Sequence, residues 1–249
     1  MRAGDPDRHA ATLAAPEAVR ATLWPLYAFN LEIARAPWVT AEPMIAEMRL
    51  QFWTDVLDNI AAGKPPRAHH VAEPLGRVWR GQNLPIALGH AMIAARHRDI
   101  TRDGFGDAAA LHAHLDATSG NLMWLAALTL GAGREAEATV RQMGMASGLA
   151  NWFLAVPQLQ AHGWSALPGA SDVEIAALAR DGLARLARAR AARHKVCARA
   201  IPALLVGWQA GPILARAAKS PALVRAGGLQ MSEFARRGQL LLRAVSGRW

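Results

Sequence analysis

The chain has 249 residues, of which 52% are apolar, enough to bury one sizeable core and short for two. Lysine and arginine total 28 against 19 acids, which gives a net charge of +9. This charge favours anionic partners, namely acidic lipid surfaces, nucleic acid or phosphorylated ligands, and the alternative explanation is an arginine-rich codon usage. A lone cysteine, Cys197, excludes an intramolecular disulfide and a cysteine-based zinc site.

Apolar residues recur three and four positions apart, without sustained alternation, which predicts an all-α fold. Short clusters of glycine, proline and polar residues divide the chain into about eight helices. We expect these breaks at residues 63–66, 83–85, 101–107, 131–134, 163–172, 220–221 and 227–228. None of them is long or polar enough for an interdomain linker, so the sequence predicts one domain over residues 1–249.

The first residues carry acids early and lack a long apolar core, so they do not resemble a signal peptide. The lack of a recognisable targeting segment favours a bacterial protein over a mitochondrial precursor. The most apolar runs, 122–132 and 201–208, fall short of the roughly 20 residues that a membrane span requires. We therefore expect a cytoplasmic protein, or one that is peripheral on the inner face of the cytoplasmic membrane.

Proline and acidic residues mark the ends of two long helices. Pro16 predicts the start of a helix that ends near Pro37, and Pro25 predicts a kink or a break within it. Asp172 is a candidate N-cap for a later long helix.

A helix predicted over residues 182–201 separates two faces. Leu183, Leu186, Ala187, His194, Cys197 and Ile201 form its apolar side, and Arg185, Arg188, Lys195 and Arg199 form its basic side. The ordinary interpretation is a solvated face, and the alternative is a basic stripe for anionic lipid or an acidic partner protein. Arg190 lies on the apolar side, so its side chain must extend to solvent or find a partner, and Trp249 requires a docking surface.

Paired acids are the first candidates for chemistry. Asp99 and Asp103 have the i, i+4 spacing of a magnesium site, but glycines follow them, which indicates a helix end that runs into a loop. Asp55 and Asp58 are expected to be exposed or paired with nearby arginines.

The histidines do not predict a metal site. His112 and His114 cannot face the same way on a helix, and His69 and His70 lie in a proline-rich loop without a third ligand at zinc spacing. The sequence contains no phosphate-binding glycine loop and no G-x-S-x-G nucleophile elbow. It also contains no nucleic-acid-binding signature, so we expect no nucleic-acid partner.

Five segments together resemble the squalene/phytoene synthase family over nearly the whole chain. They are LAAPEAVRATLWPLYAFNLEIARA (13–36), RLQFWTDVLDNI (49–60), HLDATSGNLMWLAALTLG (114–131), MGMASGLANWFLAVPQLQAHGWSALP (143–168) and GGLQMSEFARRGQLLLRAVSGRW (227–249). The resemblance implies an isoprenoid-synthase-type helical bundle around a central cavity. Active members condense two prenyl diphosphates, and two aspartate-rich motifs hold the magnesium ions that neutralise the leaving diphosphate.

This sequence departs from the family at both motifs. By the resemblance, the first acids should stand near Ala34 and Arg35, and the second at Ala155 and Leu159. Glu32 alone remains near the first position. Leu154, Gly148 and Trp164 replace an expected arginine, glutamine and arginine, whereas Asn151, Leu167 and Pro168 match.

These losses predict a pseudoenzyme without a cofactor. The segment Phe29–Ala34 resembles a degenerate branch of the family whose mitochondrial member is a respiratory complex I assembly factor, which implies a respiratory-complex subunit or assembly partner. One alternative is a diverged prenyl-diphosphate transferase that rebuilds a magnesium site with Asp55 or Asp116.

The other alternative is a non-catalytic isoprenoid-diphosphate binder that uses Arg35 and Arg49. We expect seven residues to line what remains of the cavity: Tyr27, Asn30, Glu32, Arg35, Arg49, Trp53 and Asn151.

Overall fold

The regular structure of the chain is helical in the computed structural model, which describes residues 2–40, 42–65, 68–169 and 171–249. In chain order the α-helices of these ranges are α1 (Pro6–Leu13), α2 (Glu17–Arg35), α3 (Pro43–Ala61), α4 (Ala72–Gly81), α5 (Ile86–Ala95), α6 (His97–Thr101), α7 (Ala108–Leu115), α8 (Asn121–Thr129), α9 (Glu137–Ala161), α10 (Asp172–Ala191), α11 (Ile201–Leu205), α12 (Ala210–Lys219), α13 (Ala222–Ala226) and α14 (Glu233–Ser246).

The predicted all-α fold is confirmed, and a helix ends and another begins around each predicted break. Residues 66 and 170, within two of those breaks, lie outside the described ranges. The predicted number of helices was too low, because short helices such as α6, α11 and α13 have five residues each and leave little periodicity to detect.

Helix α2 begins after Pro16, as predicted, and continues through Pro25 without a break. A single proline removes only one backbone hydrogen bond, and the packing of Leu23, Leu26 and Phe29 into the core holds the helix together across it. The helix ends at Arg35, and a 3-10 turn over Ala36–Trp38 contains Pro37.

The N-cap of α10 is Ser171 and not Asp172. The Ser171 hydroxyl accepts a hydrogen bond from the Glu174 amide, and the Glu174 carboxylate accepts one from the Ser171 amide in return. This reciprocal pair satisfies two amides at once and leaves Asp172 inside the first turn.

Helix α10 ends at Ala191, so the predicted helix over residues 182–201 is wrong beyond that residue. Two 3-10 turns, Arg193–Lys195 and Ala198–Ala200, follow it and change the direction in which side chains point. His194 and Cys197, assigned to the apolar side, are therefore exposed, and Ala187 is exposed within α10 itself. Arg190 finds a partner, since its Nε donates to the main-chain oxygen of the buried Trp249 at 3.0 Å.

Helix α9, with 25 residues, runs through the middle of the bundle and packs against α8, α10, α12 and α13. It also contacts a π-helical turn, Asp116–Gly120, which joins α7 to α8. A Cβ at Gly144 of α9 would lie 2.9 Å from the Ser119 carbonyl oxygen and 3.0 Å from the Gly120 Cα. The close approach of α9 to this turn therefore depends on a glycine at position 144.

We expect Gly144→Ala to destabilise the protein by about 1–3 kcal/mol, because the new methyl group meets main-chain atoms that cannot rotate away. The matched control is Gly238→Ala in α14, where nothing lies within 4 Å of the new Cβ and where alanine should stabilise the helix by about 0.5–1 kcal/mol. Chemical unfolding measures both. Equal or greater stability of Gly144→Ala would contradict the tight approach.

Candidate functional site

A central cavity of about 430 Å³ lies among the helices and is the candidate functional site. Asn30, Leu31 and Ala34 of α2 line it, as do residues of α9 between positions 147 and 159. The π-helical turn contributes Thr118 and Ser119 to the lining, and residues 4–8 near the N-terminus line another part of the cavity. A cavity of this size is in the range of natural small-molecule sites.

The positions at which the resemblance predicts magnesium-binding acids line this cavity. They are occupied by Ala34 on α2 and by Ala155 and Leu159 on α9, and Arg35 next to Ala34 is exposed. None of these three cavity side chains offers an oxygen to a hard cation. The magnesium pattern of the family therefore does not fit the walls of this cavity.

Three carboxylates do line the cavity, and each lies against an arginine. Asp5 lies 3.3 Å from Arg8, Asp7 pairs with Arg236, and Asp99 lies 3.0 Å from Arg96. Across the described ranges no group of three or more histidines, cysteines or acids is placed to hold a metal ion. The carboxylates are thus held by guanidinium groups rather than gathered around one point.

Asp55 and Asp116, the acids considered for a rebuilt magnesium site, are absent from the described cavity wall. The Asp55 carboxylate accepts a hydrogen bond from the Gln51 amide at 2.8 Å. Asp116 accepts one from Arg141 at 3.0 Å, and so braces the π-helical turn against α9. The structure does not bring the two together.

The most buried polar group of the cavity wall is formed by Arg96, Asp99 and His114. Asp99 is 3% exposed, and its second oxygen lies 3.9 Å from His114 Nε2, too far for a hydrogen bond. Neither that oxygen nor His114 Nε2 has a hydrogen-bond partner among the described residues. Both are buried polar atoms without a partner, which is costly for folding.

Burial sets the ionisation of this cluster. Desolvation is the largest cause that lowers the pKa of His114, and together with the charges of Arg96 and Arg98 it brings that pKa to about 3, so the imidazole is neutral. Desolvation raises the pKa of Asp99, and the neighbouring Arg96 opposes that rise. The His114 ring packs edge-on against Phe105 and Trp152, which keep water from one side of it.

Sequence reasoning placed Asp99 at a helix end followed by a loop, which is where it lies, but missed its role in the cavity wall. Asp103, the acid considered with Asp99 for an i, i+4 magnesium pair, accepts a hydrogen bond from the Thr101 hydroxyl at the surface. His112 and His114 diverge as predicted, since His112 reaches Asp181 on α10 at 3.2 Å. The i, i+3 spacing of Arg96 and Asp99 was the one local signal for the cluster.

The seven residues expected to line the cavity are divided by the structure. Asn30 and Asn151 line the central cavity, and the buried Tyr27 lies beside it under the Arg8 guanidinium, at 5.3 Å from the ring centre. Burial raises the pKa of the Tyr27 hydroxyl, which remains protonated.

Glu32, Arg49 and Trp53 line a separate pocket of about 240 Å³, together with Phe52 and His69. Arg35 is exposed and is absent from both linings. The two arginines considered for diphosphate binding, Arg35 and Arg49, therefore do not converge on the central cavity.

The expected basic side of α10 is smaller than predicted. Arg185 is 17% exposed and bonds Asp181 at 2.6 Å, so it is not part of a free basic surface. Arg188, Lys195 and Arg199 are exposed, but the last two belong to the turns that follow the helix.

Comparison with known proteins identifies relatives of the whole fold. Residues 1–244 match the family model described as squalene/phytoene synthase. The complex I assembly factor 6 of NADH dehydrogenase (ubiquinone) from Bos taurus is 27% identical over 158 residues, which are 63% of this chain and 47% of that protein. The chain thus spans about half the length of the curated relatives it matches.

Two solved structures share the fold. The squalene synthase HpnC from Alicyclobacillus acidocaldarius superposes with a TM-score of 0.75 at 19% identity, covering 91% of this chain and 90% of that one. A dehydrosqualene synthase in complex with ligand superposes with a TM-score of 0.83 at 15% identity, covering 98% and 92%. At such identities the likeness shows the fold alone.

We expect His114→Gln to reduce the pH dependence of stability between pH 7 and pH 5. Since the folded-state pKa of His114 lies below the unfolded value, its contribution is complete above about pH 6.5 and is lost as the pH falls. The wild type should lose about 2 kcal/mol through this group over that range. Urea unfolding at several pH values measures the slope, and an unchanged slope in the variant would show that His114 titrates normally.

Proposed function

Because the chain belongs to the squalene/phytoene synthase family, we propose that it is a catalytically degenerate member that acts in the assembly of respiratory complex I. The observation that carries the loss of catalysis is the presence of Ala34, Ala155 and Leu159 on the cavity wall where the family places acids. The assembly role follows the relatives that bear the name complex I assembly factor 6.

The physical reason is electrostatic. Ionisation of an allylic diphosphate develops negative charge that hard cations and carboxylate oxygens must stabilise. In this cavity the acids outnumber the arginines, and each acid already pairs with an arginine, so the wall offers no concentrated positive site for a diphosphate. Because the acids of the wall pair with arginines, and because the described residues place no group of three metal ligands together, the proposal includes no bound magnesium.

The proposed place of action is the inner face of the cytoplasmic membrane, with a respiratory-complex subunit or assembly partner as the binding partner. In the described ranges every helix is too short or too polar to cross a bilayer. A protein without a membrane-spanning helix in these ranges can reach a membrane-embedded partner by attachment to the membrane surface. The net charge of +9 favours binding to an anionic surface.

Incubation of the purified protein with farnesyl or geranylgeranyl diphosphate and magnesium should release no pyrophosphate and form no C30 or C40 product. A catalytically active squalene synthase, assayed in parallel, is the positive control. Release above the rate without protein would overturn the proposal of a degenerate enzyme. Thermal stabilisation by the same diphosphates without magnesium would instead favour a non-catalytic isoprenoid binder that uses the 430 Å³ cavity.

Deletion of the gene should lower the amount of assembled NADH–quinone oxidoreductase in membranes, measured by native electrophoresis and NADH oxidation. Complementation with the wild-type chain should restore it, and so should His114→Gln, because this variant alters the cavity wall and leaves the surface unchanged. Unchanged complex levels after deletion would count against the assembly role.

A further inference from the structure

The outer face of α14 carries a continuous apolar stripe. Four of its large side chains are exposed: Phe234 by 89%, Leu241 by 64%, Leu242 by 72% and Val245 by 80%. Positions 234, 241 and 245 are separated by seven and four residues, which places their side chains in one line along a helix, with Gly238 between them. Such a stripe on the outside of a folded protein indicates a contact surface.

The opposite side of α14 already holds the helix to the body of the protein. Leu240 and Ala244 pack against a small cluster formed by Ala11, Leu205 and Trp208. Arg236 pairs with Asp7 of α1 and with Glu233 of its own helix. The apolar stripe therefore points away from the body, and rotation of the helix cannot bury it without loss of these contacts.

Exposed basic residues lie at one border of the stripe and beyond the end of α14, whereas Arg236 lies on the inner side. Residues 233–249 contain Arg236, Arg237, Arg243 and Arg248 against a single acid, Glu233. The Arg237 side chain is 81% exposed at one border of the stripe, and Arg248 is exposed beyond the end of the helix. Apolar side chains flanked by arginines match the interface of an anionic bilayer, where apolar groups enter the acyl region and guanidinium groups meet lipid phosphates.

A second copy of the chain is a poorer occupant, because symmetric contact through α14 would bring two arginine-rich borders together. We propose that α14 lies in the plane of an anionic membrane surface and inserts Phe234, Leu241, Leu242 and Val245. This inference deepens the proposed membrane location by naming the contacting helix, and it does not depend on the catalytic state or on complex I.

Vesicle binding of the full chain tests the inference. In a cosedimentation assay, the chain should bind vesicles of phosphatidylcholine and phosphatidylglycerol more strongly than vesicles of pure phosphatidylcholine. Raised salt should weaken the binding to the anionic vesicles. The double variant Phe234→Ser/Leu242→Ser should lower the partition coefficient by about tenfold or more, since two inserted apolar side chains are lost.

Two matched variants separate α14 from other surfaces. Met44→Ser/Met48→Ser removes two methionines of α3 that are 74% and 67% exposed, and it should leave binding within about twofold of the wild type. Arg237→Gln/Arg248→Gln should weaken binding more than Arg188→Gln/Lys195→Gln, which changes the basic side of α10 and the turn after it.

Three outcomes would overturn the inference. The first is an equal loss of vesicle binding in the apolar variants of α14 and α3, and the second is binding that does not depend on the charge of the lipid. The third is the finding that the wild-type chain is a dimer in solution and that Phe234→Ser/Leu242→Ser dissociates it. Unchanged circular dichroism and thermal midpoints verify that the variants fold. Because no respiratory complex is present in this assay, its failure is distinguishable from failure of the proposed assembly role.

Discussion

The close approach of α9 to the π-helical turn Asp116–Gly120 is the constraint on which the rest of the structure depends. Gly144 and Gly148 leave room for that turn, since a Cβ at Gly148 would lie 2.6 Å from the Ser119 hydroxyl oxygen. The turn and α9 then form adjoining parts of the cavity wall, and Arg141 fixes the turn through Asp116 and Asn121. A π-helical turn at this place spreads the backbone locally, as such turns do at many functional sites.

The chain has the fold of its family, and the side chains of the cavity wall depart from the pattern that the resemblance predicts. Ala34, Ala155 and Leu159 make the positions of the family's acids apolar. Asp99 and His114 are buried polar side chains of the wall, and desolvation there keeps the imidazole neutral.

The sequence was sufficient for the architecture because its signals are local. Glycine and proline clusters mark helix ends through their own backbone preferences, so the breaks at residues 83–85 and 220–221 could be located from a few neighbouring residues. Ala34 and Ala155, which the resemblance places at the family's motif positions, both line the cavity. Helix α10 shows the limit of this reasoning, since a projection over residues 182–201 assumes one continuous helix and the backbone turns at Ala192.

The cavity cluster could not be predicted because it depends on tertiary packing. Asp99 and His114 are fifteen positions apart on different helices, and neither has an unusual local context. The expected cavity residues also lie in two different pockets for a geometric reason. Asn30 and Glu32 are two positions apart on α2, so their side chains point in different directions and line different pockets.

The ion pair between Asp7 and Arg236 joins the two ends of the chain at one point. Asp7 belongs to the N-terminal segment that borders the cavity, and Arg236 belongs to the helix with the exposed apolar stripe. A force that lifts α14 from the bundle would therefore also pull on the entrance of the cavity. The wall of the cavity and the outer surface of the protein are therefore mechanically coupled through α1, by this carboxylate and by the contact of Leu240 and Ala244 with the cluster that contains Ala11.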